Sequence, residues 1–593
     1  MQKIRRETFL KMGALSLMLP LTNSLLAPLI FARDKKEFFS DENLLRRLVD
    51  ANDQQVPELL QNVNTVDGGF NRRLGSDFSA LAAAYTTPAS KYFHSAELVT
   101  RLESSVTSLL QFQTADGTIN VGNLESPPDT AFLVELLTGG AYLLIKDHSE
   151  AITGINKNIK TFLVNAGEAI TTGGVHTPNH RWVICAALAR LNYLYPNIRY
   201  VNRIEEWLDE GVYIDSDGHY PERSGVYSGV ENNAHITTGR LLNKPALFEP
   251  VRKNLAMMWY YMEPNGDLVT TDSRRQDQYI LKTIVSYYFY YRQMAIRDNN
   301  GHFAAVAKFI EGLPAFEKEI LPRGLSHFLE DPLLQKEMPA ATVLTTDYEK
   351  FLATSKLLRL RRGNRTATLF GGIDWPLTIA SGRSNSPNFF AYRNGSAILK
   401  YLRLSSGFFS MGYFYSEGIR KEGSKYILHK KLEVPYYQPL PKKLRNAAGD
   451  YALTPSIDRR FWNKMDFSHR PVSNLKTLDT TVVCSETDHG VELDFSVTGM
   501  AGVTVTIELC FLEGGLLSGV TNDGNGNSFL EMGMGKYEFG GEAISFGRGA
   551  NAHKNITALE GENYSTHFGT LRTEGMHVYI TGLTPFSHKL TFT

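Results

Sequence analysis

The stretch Asp217-Gly218-His219-Tyr220 is one of five similar phrases in the first half of the chain, each a turn followed by a polar and aromatic loop and then an apolar helix. The others are Asp67-Gly68-Gly69-Phe70, Asp116-Gly117-Thr118-Ile119, Gly173-Gly174-Val175 and Asn265-Gly266-Asp267-Leu268. They recur roughly every fifty residues, about the length of one helical hairpin with its loops. The repeat predicts a ring of helical hairpins whose loops open onto one end of a central funnel. We therefore expect the chemistry among the residues just after each turn.

Whole-chain composition sets the limits of this interpretation. A chain of 593 residues with 42% apolar and 21% charged residues is too long for one core, so two or three globular domains are expected. Lys plus Arg equals Asp plus Glu at 62 each, which argues against nucleic acid as a partner. Cys185, Cys484 and Cys510 form neither a disulfide framework nor a zinc motif, so no metal and no other cofactor is expected.

The N-terminus has the pattern of a secretory signal. Lys3, Arg5, Arg6 and Lys11 precede an apolar stretch that prolines and polar residues interrupt, so residues 1–32 are predicted to be a signal peptide rather than a spanning helix. The arginine pair leaves open the choice between the general and the twin-arginine export route. We expect export to the periplasm or cell surface of a Gram-negative bacterium, with no membrane insertion of the mature protein.

The hydrophobic period changes near the middle of the chain. Apolar residues at three- and four-residue spacing predict helices over 129–145, 183–195, 254–261 and 279–294. Short runs of β-branched and aromatic residues predict strands over 367–369, 397–402, 480–484, 491–497, 503–511 and 578–580. The fold class is thus α followed by β: an α/α toroid over residues 36–335 and an antiparallel β-sandwich region over 345–593. Residues 313–341 are interpreted as the connector and 435–443 as a surface loop.

The third turn leads into candidate binding residues. Asn179 and His180 precede a strongly apolar run, which places them near a helix N-terminus, where free amides and the helix dipole favour a carboxylate. The alternative is that Asn179 only caps the helix and His180 only fills its first turn.

The loop after the fourth turn has an unusual density of functional side chains. Residues 219–235 include Tyr220, Arg223, Tyr227 and His235, a mixture that a solvated loop seldom needs. After the fifth turn, Arg274-Arg275 would clamp an acidic sugar or simply start a charged helix. Asn123, after the second turn, is predicted to lie on the rim of the same funnel, although Pro127-Pro128-Asp129-Thr130 equally fits a rigid helix start.

At these residues the sequence resembles the uronate-specific polysaccharide lyases that are built as an incomplete α/α toroid followed by β-sandwich domains. The order of Asn179, the 217–227 loop and Arg274-Arg275 is similar to that in hyaluronate and chondroitin lyases. The adjacent Asn179-His180, with Tyr227 some fifty residues on, is similar to the alginate and heparin-type lyases. Within this group the whole chain most resembles the lyases that remove a rhamnose cap from glucuronic acid on arabinogalactan.

The resemblance implies β-elimination on an acidic plant or bacterial polysaccharide. Donors such as Asn179 and a nearby Arg would neutralise the uronate carboxylate, so that the C5 proton becomes acidic. Tyr227 and His180 would exchange protons with the sugar, in either order of base and acid, while Arg223, Arg274, Arg275, Tyr220, His235 and Asn123 would bind substrate. The chain departs from the chondroitin-lyase pattern at Arg223, where that family has its His.

Two other functions fit parts of the sequence. A toroid glycoside hydrolase would need a carboxylate pair, for which Asp129, Glu222 and Asp272 are the candidates. A glycan-binding protein without catalysis would need only an exported, aromatic-rich chain. In the lyase, the sandwich region is expected to contribute residues such as Arg383, Asn385 or Tyr392 to the funnel.

Overall fold

A computed structural model describes residues 41–62, 65–66, 69–70, 72–372, 386–409, 411–455, 462–524, 526–556 and 574–593. The predicted signal peptide, part of the first turn phrase, and Arg383 and Asn385 lie outside the described residues.

The first half of the described chain is helical. Its twelve α-helices are α1 (Glu42–Gln61), α2 (Arg73–Thr86), α3 (Ala96–Phe112), α4 (Pro127–Lys146), α5 (Thr153–Thr172), α6 (Pro178–Leu194), α7 (Ile198–Asp209), α8 (Gly225–Leu241), α9 (Phe248–Tyr261), α10 (Tyr288–Asp298), α11 (Gly301–Glu311) and α12 (Leu321–Glu330). Helices α2, α4, α6 and α8 pack against one another in succession and form the inner layer, while α3, α5 and α7 contact them from outside. This is the incomplete α/α toroid that the repeated turns predicted.

The inner helices are apolar on nearly every side because neighbours surround them. In α6, every residue from Trp182 to Leu191 is buried. Both α4 and α6 begin with a proline, whose fixed φ suits the first helical position and whose missing N–H would have no helical partner there. Of the described helices, α4 is long and apolar enough to cross a membrane, but 78% of its most apolar window is buried in the toroid. It is therefore a core helix.

The predicted turns account for the way the loops enter the inner helices. Gly117, Gly218 and Gly266 have φ of +91°, +110° and +85°, values that favour glycine. A Cβ atom on Gly218 would lie 2.6 Å from the carbonyl oxygen of Lys253, so this turn also lies directly against α9. Gly173 differs, because it is the C-cap of α5 with a φ of −75°.

One helix prediction and the predicted connector need correction. The helix predicted over 279–294 begins only at Tyr288, after the 3-10 turns Gln276–Tyr279 and Ile284–Tyr287. The reason is that the backbone around Lys282 pairs with another segment: Leu268 N donates to Lys282 O at 2.7 Å and Ile284 N donates to Gly266 O at 2.8 Å. The predicted connector, 313–341, contains the π-helical turn Phe316–Ile320 and α12, which packs on α1 and α2.

The second half of the described chain consists of strands. They are β3 (Asp347–Leu352), β4 (Leu357–Arg362), β5 (Arg365–Phe370), β6 (Phe390–Asn394), β7 (Ala397–Ser406), β8 (Arg420–Glu422), β9 (Lys425–Tyr437), β10 (Thr454–Pro455), β11 (Trp462–Asn463), β12 (Val472–Thr487), β13 (Gly490–Gly499), β14 (Thr504–Phe511), β15 (Leu516–Ser518), β16 (Thr521–Asn522), β17 (Ser528–Phe529), β18 (Met534–Phe539), β19 (Glu542–Gly547), β20 (Met576–Leu583) and β21 (Phe586–Phe592), while β1 (Thr65–Val66) and β2 (Gly69–Phe70) form a short ribbon in the toroid. The six predicted strand segments fall within β5, β7, β12, β13, β14 and β20 to within one residue. The predicted surface loop 435–443 is shorter than expected, since β9 continues to Tyr437.

These strands form a two-layer sandwich. One sheet has the order β15-β18-β19-β21-β13-β12-β9-β8 and the other the order β16-β17-β20-β14-β7-β6-β5-β4-β3. Pairing is antiparallel except between β17 and β20. A continuous apolar core lies between the sheets. Tyr392, which was expected near the funnel, is 2% exposed and packs on Phe592 in this core, so that expectation is wrong.

The outer face of the second sheet contacts the toroid through charged side chains. Arg359 forms an ion pair with Glu263 at 3.0 Å, and Thr366 Oγ1 donates to the same carboxylate at 2.7 Å. Burial opposes ionisation of Glu263, but Arg359 and Arg393 outweigh it and hold its pKa below the ordinary value. The contact between the two domains is therefore specific and hydrogen-bonded.

Candidate active site

Functional side chains converge where the inner helices begin. Arg72 directly precedes α2, and the third residues of α4, α6 and α8 are Asp129, His180 and Tyr227. Arg72 forms an ion pair with Asp129, and its guanidinium lies 4.8 Å from the centroid of the Phe132 ring. Because these four helices pack side by side, their N-termini give the mouth of the toroid a positive potential.

The carboxylate of Glu222 is the centre of the site's hydrogen bonding. It accepts bonds from Asn179 Nδ2 at 3.1 and 2.9 Å and from Arg275 Nη1 at 2.6 Å, and it is 1% exposed. Burial raises the pKa of Glu222, and Arg275 and Asn179 partly offset that rise. Asn179 thus directs its amide hydrogens at Glu222, while its buried Oδ1 has no hydrogen-bond partner among the described residues.

Tyr227 is held at the start of α8 beside a cation. Its backbone N–H donates to the Oγ atom of the N-cap residue Ser224 at 3.1 Å, which fixes the first turn. The Arg275 guanidinium stacks on its ring, with 4.1 Å between the guanidinium carbon and the ring centroid. Tyr227 is only partly buried, so its phenol lies at the mouth rather than in the core.

His180 lies beside the same cations. Burial, followed by the charges of His176, Arg72 and Arg275, lowers the pKa of His180 to about 4. Its Nδ1 atom is buried and has no hydrogen-bond partner among the described residues. The ring contacts His176 and Phe132 edge-on, with centroid distances of 4.7 and 6.1 Å. At neutral pH His180 is therefore a neutral imidazole able to accept a proton.

Three of the predicted binding residues, Asn123, Arg274 and Arg223, lie in three different places. Asn123 is exposed at the rim, where its Nδ2 donates to Asp129 Oδ1 at 3.0 Å. Arg274 lies against the loop that carries Glu222, with its Nη1 donating to Pro221 O at 2.9 Å. Arg223 instead points toward the sandwich and donates to Thr354 O at 3.1 Å.

Tyr220 and His235 do not reach the mouth, contrary to the prediction. Each is 1% exposed, and their rings pack together with 5.8 Å between centroids. Tyr220 donates its hydroxyl to Asn232 Oδ1 at 2.9 Å, and burial lowers the pKa of His235 to about 3. Both residues belong to the core beneath the site.

The carboxylates proposed for hydrolysis are each held by separate partners. Asp129 pairs with Arg72, Glu222 is bonded to Asn179 and Arg275, and Asp272 accepts from the Tyr261 hydroxyl at 2.7 Å. Burial raises the pKa of Asp272 to about 6. No observation favours an acid and base pair among them. Among the residues that the structure describes, no group of three or more His, Cys, Asp or Glu is placed to hold a metal ion.

The sequence pattern did not indicate Arg72 as a site residue, and it did not indicate the contacts of Glu222. Arg72 lies just after the first turn phrase, in a region where the turn pattern predicts functional residues. Glu222 was considered only as a hydrolase carboxylate, because its contacts with Asn179 and Arg275 join segments that are far apart in sequence.

The fold is shared with solved polysaccharide lyases. Heparinase III is 14% identical, with a TM-score of 0.55 over 90% of this chain and 78% of that chain. Chondroitin AC lyase from Streptomyces coelicolor A3 is 12% identical, with a TM-score of 0.54 over 93% of this chain and 79% of that chain. Paenibacillus xanthan lyase is 11% identical, with a TM-score of 0.51 over 93% of this chain and 57% of that chain. Comparison with models of protein families gives no match, and comparison with curated proteins gives none either.

Proposed function

We propose that this protein is an exported polysaccharide lyase that cleaves a glycosidic bond to a uronic acid by β-elimination and leaves a 4,5-unsaturated uronate. The observation that carries the proposal is the placement of His180 and Tyr227 on the first turns of neighbouring inner helices. Arg275 stacks on Tyr227, and the charges of both Arg72 and Arg275 act on His180. Elimination needs this combination of a base, an acid and fixed positive charge.

His180 and Tyr227 have different roles in the proposed reaction. His180, neutral at ordinary pH, takes the C5 proton. The electrons of the C5–H bond form the C4–C5 double bond as the C4–O4 bond breaks, and the Tyr227 hydroxyl gives its proton to O4. Charge that develops on the uronate carboxylate is stabilised by Arg72, by the N-termini of α4, α6 and α8, and by the Asn179 amide, for which the substrate competes with Glu222.

As the substrate we propose glucuronic acid capped by rhamnose on arabinogalactan. This choice of substrate rests on the sequence resemblance described above, and the basic N-terminal stretch before an apolar run supports export. Heparinase III, chondroitin AC lyase and xanthan lyase support the wider class, since all three share the toroid and sandwich and are named for uronate-containing glycans.

An ultraviolet assay tests the proposal, because only a lyase creates the conjugated double bond. The protein is incubated with uronate glycans, including rhamnose-capped arabinogalactan, and absorbance is followed. Tyr227→Phe and His180→Gln should each lower kcat by at least ~100-fold, in the range of general acid or base catalysis. Tyr193→Phe is the matched control, since Tyr193 is 54% exposed and lies about 20 Å along α6 from His180. Product without unsaturation, or full activity in both site variants, would overturn the proposal.

A further inference from the structure

A turn of the sandwich holds the toroid loop that carries Glu222. This turn, residues 353–356, joins β3 to β4 and is called the clamp turn below. The backbone N–H and the hydroxyl of Thr354 both donate to Asp217 Oδ2, at 2.7 and 2.6 Å. In return, Arg223 Nη2 donates to the carbonyl oxygen of Thr354 at 3.1 Å. One residue of the second domain thus fixes the loop at two points on either side of His219.

The neighbouring residue of the clamp turn extends the contact inward. Ser355 is fully buried, and its Oγ lies 3.3 Å from the Tyr261 hydroxyl. That hydroxyl donates to Asp272 Oδ2 at 2.7 Å and lies 2.8 Å from His219 Nε2. Burial, followed by the charges of Arg223 and Arg274, lowers the pKa of His219 to about 3, so the ring is neutral and can donate through Nε2. The loop and the segment before Arg275 are therefore tied to the same turn.

The loop needs such support because its backbone is strained next to Glu222. Arg223 has a φ of +48°, a left-handed conformation that costs a non-glycine residue roughly 1 kcal/mol or more. Its backbone N–H donates to Tyr220 O at 3.1 Å, and its side chain is held by Thr354. Glu222 directly precedes it and holds both Asn179 and Arg275. A displacement of the loop would move all three groups together.

We propose that Thr354 is a positioning residue of the active site, acting from the sandwich through Asp217 and Arg223 to keep Glu222, Asn179 and Arg275 in place. The inference rests on the proposed lyase function for its kinetic test. It makes the sandwich part of the catalytic unit, since the toroid alone does not supply the contact. A misplacement of catalytic groups by about 1 Å can cost on the order of 100-fold in rate.

Thr354→Val tests this, because valine keeps the shape and the backbone bond but loses the hydroxyl donor. We expect kcat to fall ~10- to 100-fold with KM changed less than about twofold. Thr354→Ser should restore kcat, since serine returns the donor. Thr591→Val is the matched control: Thr591 Oγ1 also donates one hydrogen bond, to Gly547 O at 3.0 Å, but lies within the sandwich. Equal kcat in Thr354→Val and Thr591→Val would overturn the inference.

A second readout separates this inference from the proposed function. The imidazole signal of His180, assigned with His180→Gln, is recorded by NMR in both threonine variants without substrate. If the loop moves, the distance from Arg275 to His180 changes and the signal shifts in Thr354→Val but not in Thr591→Val. Wild-type protein that gives no unsaturated product would end the lyase proposal, while an unchanged His180 signal in Thr354→Val would end the positioning role.

Discussion

The guanidinium of Arg275 is fixed between Glu222 and the ring of Tyr227, with 4.1 Å from its central carbon to the ring centroid. A flat, delocalised cation can stack and donate at once, whereas the ammonium group of lysine is a compact point charge. Arg275→Lys should therefore lower kcat/KM by roughly 10- to 100-fold, equivalent to about 1.4–3 kcal/mol. The measurement is steady-state kinetics on a uronate glycan, with Arg199→Lys on the exposed surface as control. Equal rates in the two variants would argue against a role for the stacked cation.

The acid limit of activity should reflect the lowered pKa of His180. A base must be unprotonated to act, so activity through His180 is lost only as the pH falls through about 4. Burial is the largest cause of this shift and Arg72 contributes to it. Arg72→Gln should therefore move the acid limb of the kcat/KM profile to higher pH, toward the ordinary histidine value. If the acid limb of the kcat/KM profile lies at the same pH in Arg72→Gln as in the wild type, Arg72 does not contribute to the lowered pKa of His180.

Acid should destabilise the fold through His235. Its pKa is about 3 in the folded protein because of burial, against an ordinary value of 6.5. The unfolded chain binds this proton first, so the stabilisation is complete above pH 6.5 and declines as the pH falls toward 3. The difference in unfolding free energy between wild type and His235→Phe should shrink by about 2 kcal/mol from pH 7 to pH 5. Urea unfolding at the two pH values measures it, and a constant difference would mean that His235 is not buried as a neutral ring.

A buried ion pair joins α6 to α12. Arg190 Nη1 on α6 donates to Glu330 Oε2 on α12 at 2.6 Å, and both side chains are under 9% exposed. Arg190→Met leaves the buried Glu330 carboxylate with Arg240, whose Nη2 donates to Glu330 Oε1 at 2.6 Å, and should cost about 1–3 kcal/mol of stability. Arg199→Met removes an exposed ion pair with Glu168 and should change the stability little, because solvent screens this pair. Chemical denaturation of both variants compares the two, and similar losses would show that the buried pair is solvated.

The repeated turns should tolerate substitution unequally. Gly218 has a φ of +110°, and an added Cβ would meet Lys253 O at 2.6 Å, so Gly218→Ala should destabilise the protein by roughly 1–3 kcal/mol. Gly174 has nothing within 4 Å of an added Cβ and no left-handed φ. Gly174→Ala should leave the stability unchanged or raise it slightly. Thermal unfolding of the two variants and the wild type measures the difference. A neutral Gly218→Ala would show that the turn is free to relax away from α9.

Much of the toroid could be predicted because local chemistry determines it. Turn glycines such as Gly117 and Gly218, and prolines at the first positions of α4 and α6, precede or mark the beginnings of inner helices. The beginnings of the inner helices then indicate which side chains share the mouth. Asn179, His180 and Tyr227 meet there for that reason, whereas Arg275 reaches the site from the loop after the fifth turn, and the chemical roles of all four stay predictions.

Burial inside the long loop could not be predicted in the same way. Tyr220 and Tyr227 have the same chemistry and lie only seven positions apart, yet one is in the core and the other at the mouth. Their difference depends on the left-handed turn at Arg223 and on contacts with Thr354, more than a hundred residues away. The late start of α10 also depends on a contact outside the helix, since Leu268 N donates to Lys282 O and Ile284 N donates to Gly266 O in place of helical hydrogen bonds.

The candidate reacting groups lie on the first turns of helices, whereas the rim is formed by loops. This arrangement affects how the substrate specificity could change. In the proposed reaction, proton transfer depends on side chains at the first turns of helices, whereas Asn123 at the rim lies in an exposed loop, and exposed loops generally tolerate changes in length. If the proposed function holds, insertions or exchanges among the exposed residues 122–125 would change which glycan branches enter without rebuilding the first turns of the inner helices. New specificities are therefore accessible to evolution, or to an engineer, without rebuilding the chemistry.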